Sequence, residues 1–160
     1  MRKSSLGALL LSHFEKLKKK FGKILLVTED KKLEPHIESE NYEVVTAFND
    51  MEVLKSLNMN ALGDSNDTTT VDVVIIDVDF GANSNFFDPF STFHKIRRKF
   101  FPNELPIIFL SNQTHREDKR LLEANDYLLK PFSKEDLLAR VKNQMYVKKL
   151  NDVQTCFVPR

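Results

Sequence analysis

The sequence contains a single cysteine, Cys156, close to its C-terminal end. One thiol can neither close an intrachain disulfide nor build a metal site by itself, so a disulfide framework is excluded and a reducing, cytoplasmic setting is expected. Long apolar runs are also missing. The stretch Leu6 to Leu11 is too short to cross a bilayer and is followed by charge instead of a small-residue cleavage site, so neither a membrane span nor a signal peptide is expected. An excess of either charge is absent as well: 24 Lys+Arg stand against 23 Asp+Glu, which leaves none of the broad basic field that direct nucleic-acid binding would need. No internal repeat is present.

What remains is a chain of 160 residues, 41% hydrophobic, which suits one domain with a real core and flanking segments. Ahead of Gly22, Leu10, Phe14, Leu17 and Phe21 recur at helical steps with lysines behind them, an amphipathic helix outside the main domain. Solid apolar or β-branched strands follow in "KILLV", "YEVVTAF", "VDVVIIDVDF", "LPIIFLS" and "DYLLK". Between them lie helical patterns. A short one around Pro35 allows about two turns at most. "NDMEVLKSL" has an Asn/Asp start, "FSTFHKIRRKF" carries a stripe of Phe90, Phe93, Ile96 and Phe100, and "HREDKRLLEAN" reads as a further helix. A long last helix starts with Ser133 as N-cap and acids in its first turn. Polar loops are expected from Ala61 to Thr70 and from Gly81 to Pro89. Alternating strands and helices predict an α/β fold, a doubly wound sheet of five parallel strands covered on both faces.

The strand ends carry the chemistry. "LLVTED" ends in Glu29 and Asp30, "VVIIDVD" in Asp77 and Asp79, "IIFLSN" in Ser111 and Asn112, and "LLKPF" in Lys130 before Pro131. Parallel strands bring these ends to one edge, where open α/β sheets bind ligands. Carboxylate oxygens there suit Mg2+, and an ammonium with a hydroxyl suits a phosphoryl group.

In this order, an acidic turn after the first strand, an Asp closing the third, a Ser closing the fourth and Lys-Pro-Phe after the fifth, the chain resembles the response-regulator receiver domain of two-component signalling, from about Lys23 to Leu150. The resemblance implies a flavodoxin-like receiver fold with an extra N-terminal helix and an extended C-terminal helix. It divides the chain into a helix or linker over 1–22, a receiver domain over 23–145 and a helical extension over 146–160. It implies Asp77 as phosphoacceptor from a histidine kinase or phosphotransfer protein, without enzymatic turnover beyond the domain's own phosphorylation and dephosphorylation. Glu29 would ligate Mg2+ with Asp77 and the backbone carbonyl of Asp79, whose side chain would not be needed. Lys130 would pair with phosphoryl oxygens. Ser111 would bond the phosphoryl group and make room for Tyr127, the aromatic switch.

Several departures set this chain apart. Thr28 stands where the family has the first of two tandem acids, which predicts weakened Mg2+ binding, and Asp30 falls one position late. The segment after Asp77 is longer, lacks the customary Pro and contains Phe86 and Phe87. A degenerate pseudo-receiver acting by binding alone is the first alternative. The second is a haloacid-dehalogenase-like phosphatase, which "IIDVDFG", "IIFLSN" and a later Lys also resemble, with Asp79 as acid/base. That family, however, puts its nucleophile on the first strand and needs acids on a strand beyond the Lys.

Tyr146, Leu150, Val153 and Phe157 repeat the four-three-four spacing of the N-terminal helix. Both runs suit a seam with a partner helix, so a homodimer through the flanking helices is expected. The terminal "LNDVQTCFVPR" is similar to the linker that leads into class III nucleotide cyclase domains, which makes such an output domain a candidate fused or downstream partner.

Overall fold

A computed structural model describes residues 6–11, 19–60, 69–81 and 87–157. Its centre is a five-stranded sheet of β1 (Lys23–Val27), β2 (Glu43–Thr46), β3 (Val73–Asp77), β4 (Ile107–Ser111) and β5 (Asp126–Leu129), in the order β2-β1-β3-β4-β5. All pairs are parallel. The helices are α1 (Leu33–Glu38), α2 (Asp50–Ser56), α3 (Pro89–Lys99) and α4 (Lys134–Phe157). Residues 6–11 are also helical, with Leu6, Leu9, Leu10 and Leu11 exposed. Phe14, Leu17, Phe86 and residues 61–68 lie outside the described residues, as do the side chains of Cys156 and Phe157.

Strand alternation divides the core into two layers. Leu25, Val27, Val74, Ile76, Ile107 and Phe109 point to the face covered by α2 and α3. Ile24, Leu26, Val73, Ile75, Ile108 and Leu110 point to the face covered by α1 and α4. Both faces of β3 and β4 are therefore buried, which explains their unbroken apolar spelling. On the α3 side, the Phe90 and Phe93 rings pack on Phe109 with centroids 5.5 and 5.0 Å away.

Local chemistry sets the helix ends. The Asn49 side chain accepts from the Glu52 N–H at 2.9 Å, while the Glu52 carboxylate reaches back to the Phe48 N–H at 2.7 Å. At the far end of α2, Asn58 takes φ 56°, with its N–H on the Lys55 carbonyl and the Met59 N–H on the Leu54 carbonyl, a Schellman ending in which Asn tolerates the left-handed region. Asp88 caps α3 with Pro89 in its first turn, and Ser133 Oγ accepts from the Asp136 N–H at the start of α4.

One expected helix does not form. In place of a helix, "HREDKRLLEAN" begins at the end of one 3-10 turn, Gln113–His115, and contains a second, Lys119–Glu123. Asn112 and Asp118 side chains each cap the N–H two residues on, which ends each turn's partner chain locally. Of the adjacent leucines, Leu121 is buried and Leu122 is 69% exposed, so a single apolar anchor replaces a helical stripe. The segment is then drawn into the sheet by Asn125, whose backbone N–H bonds the Ile107 carbonyl and whose Oδ1 accepts from the Ile107 N–H and the Arg97 guanidinium.

Helix α4 has 24 residues, about 36 Å at 1.5 Å per residue. Leu137, Val141 and Met145 are buried against the sheet, whereas Leu138 is half-buried. Beyond Met145, Asn151 still bonds Asn103 at 2.8 Å, but Tyr146, Leu150 and Val153 are exposed.

Candidate functional site

Sheet register decides which strand-end residues meet. Val27 of β1 lies opposite Ile76 of β3, so the next residues on the two strands, Thr28 and Asp77, are neighbours at the point where strand order reverses. Asp77 pairs with Leu110 and Ser111 with Leu129, which brings the β4 and β5 ends to the same edge.

Asp77 is buried, and its carboxylate accepts from three groups. Lys130 Nζ lies 2.8 Å from Oδ1 and 2.7 Å from Oδ2. The Asp79 N–H donates to Oδ1 at 3.0 Å, and the Thr28 hydroxyl donates to Oδ2 at 3.0 Å. Thr28 Oγ1 in turn accepts from the Asp30 N–H, which leaves the hydroxyl proton to Asp77. Asp79 Oδ2 receives Lys130 Nζ at 3.1 Å and the Asn112 backbone N–H at 2.8 Å. Burial by itself would lower the Lys130 pKa, but the hydrogen bonds and charges of Asp77, then those of Asp79, outweigh it and hold the ammonium above its ordinary value.

Asp77, Asp79 and Lys130 are thus in direct contact. Ser111 sits fully buried at the end of β4, its hydroxyl turned to the Asn112 carbonyl at 3.2 Å, while its own carbonyl accepts from the Lys130 N–H. Tyr127 is half-buried and packs with the α3-side core, opposite Phe109 in register. Glu29 follows Thr28 at this edge but is exposed.

The expected metal set consists of the Glu29 and Asp77 side chains with the Asp79 backbone carbonyl; among the described residues no group of three acidic, histidine or cysteine side chains is arranged to hold a metal ion. Two causes are visible. The residue that β1 presents to Asp77 is Thr28, and the cation between the two aspartates is the Lys130 ammonium. Asp30 instead accepts from the Lys32 N–H and shapes the turn. Two carboxylates still fit a hard divalent ion, which takes one or two of them and completes its shell with water. The Asp79 side chain, expected to be dispensable, bridges Lys130 and Asn112. Its role, and that of Thr28, lay outside what spacing reveals; only the alignment of the Thr28 position with the last residue of β3 points to it.

The response regulator receiver domain family matches residues 24–142, and the chain belongs to that family. Regulatory protein VanR of Enterococcus faecium is 29% identical over 130 residues, which cover 77% of this chain and 49% of that protein, so the chain spans about half the length of this curated relative. Among solved structures, a response regulator receiver domain protein of Clostridium thermocellum is 24% identical with a TM-score of 0.63, covering 81% of this chain and 98% of the other. The receiver domain of the sensor histidine kinase PA1611 of Pseudomonas aeruginosa PAO1, with a magnesium ion coordinated in its active site cleft, is 24% identical with a TM-score of 0.59, over 78% of this chain and 97% of that one. At those identities the likeness is one of fold. The fold is the flavodoxin-like receiver fold, and the family match sets aside the phosphatase reading. Among the described residues no helix is long and apolar enough to cross a membrane.

Proposed function

We propose that this receiver domain takes a phosphoryl group onto Asp77 from a phosphohistidine of a kinase or phosphotransfer protein. In that step an Asp77 oxygen forms the new O–P bond, the P–N bond breaks, and the imidazole leaves with its electron pair and takes up a proton. The observation that carries the reading is the Asp77 carboxylate itself, fixed on the last residue of a buried strand with the Lys130 ammonium against both oxygens. Lys130 would neutralise the incoming phosphoryl charge, and Ser111 would turn its hydroxyl toward the phosphoryl oxygens. Mg2+ would be held by the Asp77 and Glu29 carboxylates and the backbone carbonyl of Asp79, and when bound it supplies further charge neutralisation at the transferring group. The domain is regulatory, acts in the cytoplasm, and has no turnover beyond its own phosphorylation and dephosphorylation.

The state of Asp77 would be read through α4, which begins directly after Lys130-Pro131-Phe132. Tyr146, Leu150 and Val153 form an exposed stripe that adjoins an open groove of about 770 Å³ between Phe21, Tyr42 and α4. A second copy pairing along this stripe would carry the signal to an output domain such as a nucleotide cyclase. Leu150→Asp with Val153→Asp is expected to abolish pairing without unfolding the domain. A wild-type chain that stays monomeric in light scattering at high concentration, phosphorylated or not, would sink this relay.

The phosphoacceptor reading is tested by incubation with acetyl phosphate and Mg2+, read by intact mass, with Asp77→Asn as control. One added phosphoryl group that the control lacks is expected. A second reading rests on the saturation of Asp77 by Thr28, Lys130 and the Asp79 N–H: a pseudo-receiver that signals by binding alone. It would be favoured by no added mass together with absent Mg2+ affinity.

A further inference from the structure

We infer that Asp79 is a positioning residue that latches the β4 end to the site and competes with Asp77 for Lys130, so that the charge state of Asp77 is transmitted to Asn112 and the turn after it. The inference rests on the phosphoacceptor reading and deepens it. Three elements meet at one carboxylate oxygen. Asp79 Oδ2 lies 3.1 Å from Lys130 Nζ at the end of β5 and 2.8 Å from the Asn112 N–H just beyond β4, and Asp79 itself stands two residues after Asp77. The Asp79 side chain is only 18% exposed, which keeps these contacts strong. Asn112 is not a passive end. Its own side chain accepts from the Thr114 N–H and so caps the turn Gln113–His115, and the residue before it is Ser111.

Lys130 is thereby shared between two acids in the unphosphorylated domain. A phosphoryl group on Asp77 brings up to about two negative charges and three strong acceptor oxygens. The ammonium then has better partners on the Asp77 side, and the Asp79 carboxylate faces a like charge across the space that Lys130 held. Both effects push Asp79 away from its present position, and the Asn112 N–H bonded to it is released or moved with it. The same repulsion raises the free energy of the phosphorylated state. Hydrolysis relieves it: water forms a new P–O bond, the Asp77 O–P bond breaks, and carboxylate and inorganic phosphate result, with the water proton passing to the phosphate or bulk.

Asp79→Asn keeps the shape and an acceptor oxygen but removes the charge, whereas Asp79→Ala removes both. With acetyl phosphate and Mg2+, the phosphorylated fraction of Asp79→Asn relative to unphosphorylated chain is expected to rise about tenfold, the size of one weakly screened like-charge contact. Hydrogen exchange at the Asn112 amide is expected to speed up in Asp79→Ala and on phosphorylation of the wild type. Equal labelling of Asp79→Asn and wild type would overturn the competition. Loss of labelling together with loss of Mg2+ affinity in Asp79→Asn would overturn it too, by making the side chain a metal ligand. Unchanged Asn112 exchange in Asp79→Ala sinks the latch. A wild-type chain that takes up no phosphoryl group sinks the phosphoacceptor reading instead, and the Asn112 exchange arm tells the two failures apart.

Discussion

Replacing Lys130 by methionine keeps most of the side-chain volume and removes the cation that three carboxylate oxygens share. The Asp77 side chain is 7% exposed and the Asp79 side chain 18%, so two charges would be left close together with little solvent. Breaking a fully buried pair costs about 3–5 kcal/mol. Here the Lys130 side chain is 33% exposed, and Asp77 keeps the Thr28 hydroxyl and the Asp79 N–H, so the loss is set lower, at about 2 kcal/mol. For a domain of this size that lowers Tm by roughly 4–8 °C. With no tryptophan in the chain, urea unfolding followed by circular dichroism is the suitable assay. Asp77→Asn in the Lys130→Met background should recover at least about 1 kcal/mol, since the charge that the lysine neutralised is gone. The pH dependence follows from the raised Lys130 pKa. Stability from a raised group is fully present below its unfolded value, about 10.4 for lysine, and is lost as pH rises through the folded value. The difference between wild type and Lys130→Met should accordingly stay constant from neutral pH to about pH 10 and shrink above it. A Lys130→Met variant as stable as wild type at neutral pH, or a loss that persists undiminished with Asp77→Asn, would refute the reasoning.

Thr28→Asp places a further carboxylate beside Asp77 and should raise Mg2+ affinity about tenfold by calorimetric titration, since ligand charge count sets affinity for hard cations. Thr28→Val should lower stability by about 1 kcal/mol in urea unfolding by removing a buried donor to Asp77. Gly81, at φ 77° with a Cβ position 3.1 Å from the Phe87 carbonyl oxygen, should lose about 1–2 kcal/mol as alanine, read as a lowered Tm. Asn125→Ala should destabilise by about 2–3 kcal/mol, because it strips the Ile107 N–H of its acceptor and a contact from Arg97, whose pKa burial already lowers to about 10. Hydrogen exchange at Ile107 should rise in that variant even where the fold persists.

The sheet was legible because its evidence is local. Runs such as "VVIID" and "IIFLS" bury both faces, and each residue's neighbours along the chain already declare that. The same holds for Asn49 and Ser133, whose helix-capping partners lie three residues away. The strand-end polar groups were legible too, since parallel pairing sends them all to one edge, and Asp77 and Lys130 do meet there. Where local signals were divided, tertiary structure decided: "HREDKRLLEAN" has helical spacing, yet one buried leucine and the pull of Asn125 into the β4 edge leave it with a 3-10 turn. The site's actual partnerships lay furthest from view. Thr28 and Asp77 are 49 residues apart, and Lys130 and Asp79 51. The resemblance implied Glu29 for the cation and no need of the Asp79 side chain there, but nothing in the neighbouring residues records strand register or the direction of a side chain at a strand end. Register put a hydroxyl against Asp77, and the reach of one lysine put an ammonium between two acids; both are properties of the folded sheet alone.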